Sequence, residues 1–268
     1  MNFVDGYVRS PLAGIAPWIL IAVINGPGRF EEAASAALGL SLLTLWVGVR
    51  RGVPVHLLEG FTVAYFGVLA VIGLAAPDGV IDWMHLWAGE VSNIALAAFA
   101  LVTLAIRRPF TLAYAKDTTP QEHWGSPVFI KVNYVLSAAW AAAFVFSALT
   151  GAYGDAVLRD NDNFWTAWIL PIGAIVFAVS FTEFYPDYAT GETTSRWRAV
   201  DWLPPFVVIT GISGWLSDSV QAVSAIALIV VGVLASVALR RFLPDARVAG
   251  GEAAGGGALE QGSVGREP

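Results

Sequence analysis

Long apolar runs alternate with short polar gaps along almost the whole chain. Eight runs stand out, at positions 11–25, 32–49, 55–76, 83–106, 129–150, 164–185, 202–216 and 219–239. Each is continuous rather than alternating in polarity, which suits a helix that satisfies its own peptide groups inside hydrocarbon. A span needs about 20 apolar residues; most runs approach that length, while the first and seventh are short. The last two form one apolar stretch too long for a single crossing, divided by a polar turn at Gly214, Ser217, Asp218 and Ser219. The pattern predicts an all-α, polytopic transmembrane helix bundle of about eight spans, with seven as the other possible count. It forms one domain over 1–243. The Gly/Ala/Glu-rich stretch 244–268 has too little apolar bulk to offset the entropy of ordering, and is expected to be a disordered cytoplasmic tail.

Charge adds direction. Only 13% of residues are charged and 56% are hydrophobic, whereas a soluble domain carries about 25% charged residues. With the N-terminus placed in the cytoplasm, the gaps on that side hold Arg9, Arg50, Arg51, Arg107, Arg108, Lys116, Lys131, Arg196, Arg198, Arg240, Arg241, Arg247 and Arg266. The other side holds only Arg29 and Arg159. The positive-inside rule therefore places both termini in the cytoplasm. A seven-span count would carry Arg240 and Arg241 across, which favours eight. The segment MNFVDGYVRS lacks the features of a removed signal peptide, so the first helix is expected to be retained. Tryptophans cluster at run ends (Trp83, Trp87, Trp165, Trp168, Trp202, Trp215), where an amphipathic ring suits the headgroup layer. A net charge of −6 argues against nucleic acid as a partner, and the absence of cysteine excludes disulfides, thiolate metal sites and thiol nucleophiles.

Few side chains carry candidate chemistry. An ionisable group inside a span is costly and is a functional suspect. Glu90 is the foremost, with Asn93 three residues on along the same helix face and His85 and Ser92 near in sequence. It can carry a proton, coordinate a cation or bond a neighbouring helix. Asn133 and Trp140 share a face of the fifth run at seven-residue spacing and complete a candidate buried polar site; an interhelical hydrogen bond is their simplest use. Glu59, one turn inside the third run after His56, can pair with Arg50 or Arg51, and Glu183 reads as an interfacial charge. His56, His85 and His123 lack ligand spacing, so no metal and no cofactor are expected. GPGRFEE reads as a turn opening a helix with Glu31 and Glu32 in its first turn. No G-x-S-x-G or paired nucleophile and base is present. Pro171, Pro204 and Pro205 interrupt the sixth and seventh runs, followed by Gly211 and Gly214. The polar connection from Arg107 to Lys131 combines Arg107, Arg108, Lys116 and Lys131 with Phe110, Tyr114 and Trp124, as a topogenic or anionic-lipid-binding segment does.

Arg108-Pro109-Phe110, then Trp124, Pro127, Asn133, Trp140 and Phe144, resemble the bacterial intracellular septation protein A family. Arg50-Arg51-Gly52, Phe66-Gly67, Ile81-Asp82-Trp83, Trp165 and Tyr185-Pro186 fall in the same order, so the resemblance covers roughly 32–186. The chain departs from the family around Trp83, where Asp82 and His85 replace a basic cluster, and in its last two helices and tail. The resemblance implies a multi-pass protein of the bacterial cytoplasmic (inner) membrane. Its role there is envelope or septation maintenance through membrane-protein or lipid partners, without enzymatic turnover. The alternative is a small transporter or channel, proton-coupled through Glu90; a third reading is a membrane-embedded lipid-modifying enzyme.

Overall fold

In the computed structural model, residues 11–24, 28–193 and 195–241 are described. The apolar runs are helices: α1 (Pro11–Ile24), α2 (Phe30–Arg50), α3 (Leu57–Ala75), α4 (Asp78–Ala105), α5 (Thr111–Thr118), α6 (Pro127–Tyr153), α7 (Leu170–Thr190), α8 (Leu203–Leu216) and α9 (Ala222–Arg240). No strand occurs among the described residues. Seven helical segments are long and apolar enough to cross a membrane, running from Phe30–Arg50 to Ala222–Arg240. α1, with 14 residues, rises only about 21 Å, short of a hydrocarbon core of about 30 Å. The chain is a polytopic membrane protein by the length and composition of these helices. Arg9, Asn25, Arg247, Arg266 and the 244–268 tail lie outside the described residues.

Local signals set the helix ends. Ser126 caps α6 by accepting from the Phe129 N–H at 3.1 Å, with Pro127 in the first turn, where a missing N–H costs nothing. α2 stops at Gly52, whose φ of 71° lets Gly52 N–H and Val53 N–H turn back onto Val49 and Gly48 carbonyls at 3.1 and 2.9 Å. α4 ends in the same motif on an arginine: Arg107 has φ 60°, and the Arg107 and Arg108 N–H groups reach Leu104 and Thr103 carbonyls at 3.0 and 2.8 Å. Pro204 and Pro205 do not interrupt a helix. They lie in the first turn of α8, where no intrahelical N–H is needed.

Three boundaries move from the sequence expectation. α4 begins at Asp78 rather than at 83. α6 continues past Thr150 to Tyr153 and into a π-helical turn, Gly154–Leu158. The Arg107–Lys131 connection contains α5 and a 3₁₀ turn, and Lys131 stands within α6. Polar composition hid these extensions, because hydropathy marks the lipid-exposed length of a helix rather than its hydrogen-bonded length.

The chain divides into two compact units at Thr190 and Gly191. In the first, α6 is the central helix: half of its span is buried, against 11% of the α7 span. α4 and α7 pack on α6, α2 packs on α3, and α1 packs on α2. Ala33, Ala34 and Ala37 on α2, Ala88 and Ala100 on α4 and Ala141 on α6 are buried. Small residues let helix backbones approach where lipid removes the hydrophobic drive for helix association. Trp18 of α1 stacks on Tyr65 of α3 at 4.6 Å and donates to Thr62 Oγ1 at 2.9 Å. Tyr65 donates in turn to Ser92 of α4 at 3.0 Å.

The second unit is the α8–α9 hairpin. Asp218, φ 54°, makes its turn, with the Ser219 N–H reaching the Gly214 carbonyl at 3.0 Å. Two glycines bring the backbones together. A Cβ on Gly211 would stand 2.9 Å from the Ala225 carbonyl oxygen, and one on Gly232 2.8 Å from that of Pro204. Gly232→Leu is therefore expected to destabilise the hairpin by about 1–3 kcal/mol, read as a lowered melting temperature in detergent. Gly39→Ala, where nothing lies within 4 Å of an added Cβ, is expected to leave melting unchanged or raise it slightly.

Candidate functional site

Glu90 lies on α4 twelve residues beyond Asp78, roughly 18 Å along the helix, deeper than the sequence reading placed it. The facing position on α6 is Gly151, and a Cβ there would overlap the Glu90 carboxyl oxygen Oε1. The absent side chain is the space the carboxyl occupies. One turn beyond Gly151, in the π turn that follows α6, Asp155 is the acidic neighbour of Glu90. Two ionised carboxylates can only accept hydrogen bonds, so neither can donate to the other without a proton.

The turn that carries Asp155 is tightly specified. Gly154–Leu158 is π-helical and closes with the Asp160 N–H on the Gly154 carbonyl at 3.1 Å, with Arg159 in the left-handed region at φ 55°. Gly154 packs directly against the Thr166 hydroxyl, a buried oxygen with no hydrogen-bond partner among the described residues. The next π turn, Phe164–Ile169, is capped by Asn163, which accepts from the Trp165 and Thr166 N–H groups at 3.1 and 3.2 Å. Pro171, just inside α7, has no N–H to offer back to that turn. These constraints define the backbone of the turn that carries Asp155.

The other expected members of the buried site are elsewhere. Asn93 is one turn along α4 and half-buried. Asn133 precedes Gly151 by eighteen residues on α6, roughly 27 Å. Its amide donates to the Phe129 carbonyl at 2.9 Å, its own carbonyl accepts the Thr111 hydroxyl at 2.9 Å, and its Oδ1 is buried without a partner among the described residues. Trp140 donates to Thr182 at 3.0 Å, tying α6 to α7, which is the interhelical bond its spacing suggested. Glu90, Asn133 and Trp140 thus serve three different contacts. Asp155 was missed because its run seemed to end at 150; the Gly151-x-x-x-Asp155 spacing, one helical turn, was the available signal.

A second polar constellation sits where α5 crosses the start of α3. His56 Nε2–H donates to Asp117 Oδ2 at 2.8 Å, and their side chains are 8% and 17% exposed. The Tyr114 hydroxyl donates to Glu59 Oε1 at 2.7 Å, and Glu59 Oε2 accepts the His56 backbone N–H at 3.0 Å. Glu59 is thus held by α5 and its own helix cap rather than by the expected Arg50 or Arg51. Burial first, then the Glu59 charge and hydrogen bond, push the Tyr114 hydroxyl well above the ordinary tyrosine range. It remains a donor throughout neutral pH. Glu59 also borders a groove between α2 and α3 lined by Thr44, Gly48, Val53 and Pro54.

The residues of the family-like pattern mainly pack. Pro109 and Phe110 are buried, and Phe110 lies 5.9 Å from Phe99 between ring centroids. Trp124 donates to the Thr119 carbonyl at 2.9 Å and carries Lys116 5.0 Å over its ring. Arg107, Arg108 and Lys131 are exposed. The acids of this connection are engaged with histidines, Asp117 with His56 and Glu122 with His123 at 3.5 Å.

No protein-family model matches the chain, and neither curated proteins nor solved structures show a similar one.

The Gly151–Glu90 fit has a direct test. Gly151→Ala is expected to cost about 1–3 kcal/mol through overpacking, and that cost should vanish in a Glu90→Ala background, a coupling read from a double-mutant cycle of detergent melts. Gly89→Ala, with open space at its Cβ, should be neutral in both.

Proposed function

We propose that this multi-pass membrane protein is a small proton-handling transporter or channel in which Glu90 and Asp155 form the proton site. The observation that supports this reading is the juxtaposition of two carboxyls, Glu90 on α4 and Asp155 in the turn that follows α6. A paired acid within the span of helices is expensive, yet here the opposing helix carries Gly151 and a constrained π turn that accommodate it. The pair gains or loses one proton without needing a fixed cation. The reading is non-enzymatic and requires no cofactor.

Placement in a bacterial cytoplasmic membrane with both termini inside belongs to the same proposal, on the strength of the Lys/Arg distribution. Exposed Arg107, Arg108 and Lys131 support anionic lipid headgroups as partners. A septation or envelope role exerted through other membrane proteins is the alternative. It is carried by the Arg108, Pro109, Phe110, Trp124, Asn133 and Trp140 pattern, whereas Phe110 and Trp140 act as packing and interhelical groups.

The full chain, reconstituted in vesicles under an imposed pH gradient, is expected to carry protons. Glu90→Gln and Asp155→Asn should each cut the flux by about 10²-fold, the scale of removing a positioned proton carrier. Flux equal to the parent's in both variants sinks the reading.

A further inference from the structure

The groove between the end of α2 and the start of α3 holds about 310 Å³ of empty space and opens outward past Val49, Pro54 and Val55, all exposed. Its lining side chains are apolar apart from Thr44 and Glu59. Both of these present acceptors. The Thr44 hydroxyl proton is committed to its own helix, facing the Leu40 and Ser41 carbonyls at 2.9 and 3.0 Å, which leaves its oxygen lone pairs for any other partner. Glu59 accepts from the Tyr114 hydroxyl and the His56 backbone N–H, and a carboxylate has about four lone-pair sites. Pro54 has no N–H to add.

Charge is unbalanced at the same place. Both donors to Glu59 are neutral, and Asp117 is bonded to His56, so two carboxylates face at most one positive charge. A half-buried carboxylate favours a cation beside it, because withdrawal from water leaves its charge poorly compensated. The nearby cations are turned to aromatic rings instead: Arg50 lies 5.3 Å over Trp46 and Lys116 5.0 Å over Trp124.

A ligand that completes this lining must be positive, donate hydrogen bonds and bring an apolar body. A primary ammonium has three donors and no acceptor. The surroundings suit the apolar part: Val49, Val55 and Leu57 are 56, 53 and 60% exposed. Both α2 and α3 are long and apolar enough to cross a membrane, so the turn that joins them lies at a membrane surface, where lipid headgroups are. We propose that this groove binds an aminophospholipid of the phosphatidylethanolamine type. Its ammonium is held by the Glu59 carboxylate and Thr44 Oγ1, and its acyl chains run along Val49 and Val55. The site is separate from Glu90 and Asp155 and does not rest on the proton-site reading.

The full-length protein in detergent is titrated with phosphatidylethanolamine and with phosphatidylcholine, whose trimethylammonium has no N–H, and lipid retention is read by native mass spectrometry. The primary-ammonium lipid is expected to bind about tenfold more tightly, the scale of a hydrogen bond to a charged group. Glu59→Gln should remove that difference, and Thr44→Val should reduce it about threefold. Tyr114→Phe loosens α5 from Glu59 but keeps the carboxylate, so the preference should persist and lost recognition is told apart from lost packing. Equal binding of the two lipids by the parent, a preference that survives Glu59→Gln, or an equal loss in Tyr114→Phe overturns the proposal. Where Glu59→Gln does not fold, Thr44→Val decides, and an unchanged preference in it is equally fatal. Free ethanolamine binding as tightly as the lipid would assign the groove to a soluble amine and overturn the lipid as its occupant.

Discussion

The contact between α4 and α6 governs the first unit. In lipid, helices gain little from burying apolar surface against one another, so close packing and a few polar bonds must hold them. α6 meets that demand with a different device at each level. Asn133 and Ser137 hold the start of α5, Trp140 reaches Thr182 on α7, and Gly151 admits the Glu90 carboxyl of α4. Near its other end, Gly154 seats the Thr166 hydroxyl. A helix used on so many sides has little room for bulky side chains at its contact points, and this accounts for the small residues Ala141, Ala143, Ser147 and Ala148 among its buried positions.

Two kinds of polar grouping result, and they differ in energetic character. Around α5, both Glu59 oxygens and Asp117 Oδ2 have donors: a tyrosine hydroxyl, a backbone N–H and a histidine ring N–H. Such a network is satisfied without any exchange of protons. The Glu90–Asp155 pair instead holds two groups of the same kind, which bond only by sharing a proton. One grouping is therefore suited to holding parts together and the other to changing state, although both are built from ordinary acidic residues.

Much of this was legible in the residues. Each apolar run declared its helix because hydrocarbon leaves the backbone no other choice. The depth of Glu90 within its run marked it as unusual, and the Asn133–Trp140 spacing pointed to an interhelical bond. What stayed hidden were pairings between distant positions. His56 and Asp117 are 61 residues apart, and neither has a local signal of the other. α5 was read as part of a polar connection because its sequence, TLAYAKDT, is too mixed to stand out from a loop. Asp155 went unnoticed because hydropathy falls before the helical hydrogen bonds end. The Pro204-Pro205 pair was read as a break because proline signals helix start and helix rupture with the same letter; only position within the turn separates them.

The stop of α4 sets two requirements against each other at one residue. The turn geometry at position 107 favours glycine, and any other side chain in the left-handed region pays about 1 kcal/mol. The chain nevertheless places an arginine there, at φ 60° and exposed. Its neighbour Arg108 already supplies one positive charge, so the second is retained at the expense of local relaxation. That choice makes sense if the end of α4 must be pinned at the water boundary, where a slip of one turn would carry Glu90 away from Gly151. Position 107 thus records a conflict between backbone comfort and vertical register, settled in favour of register.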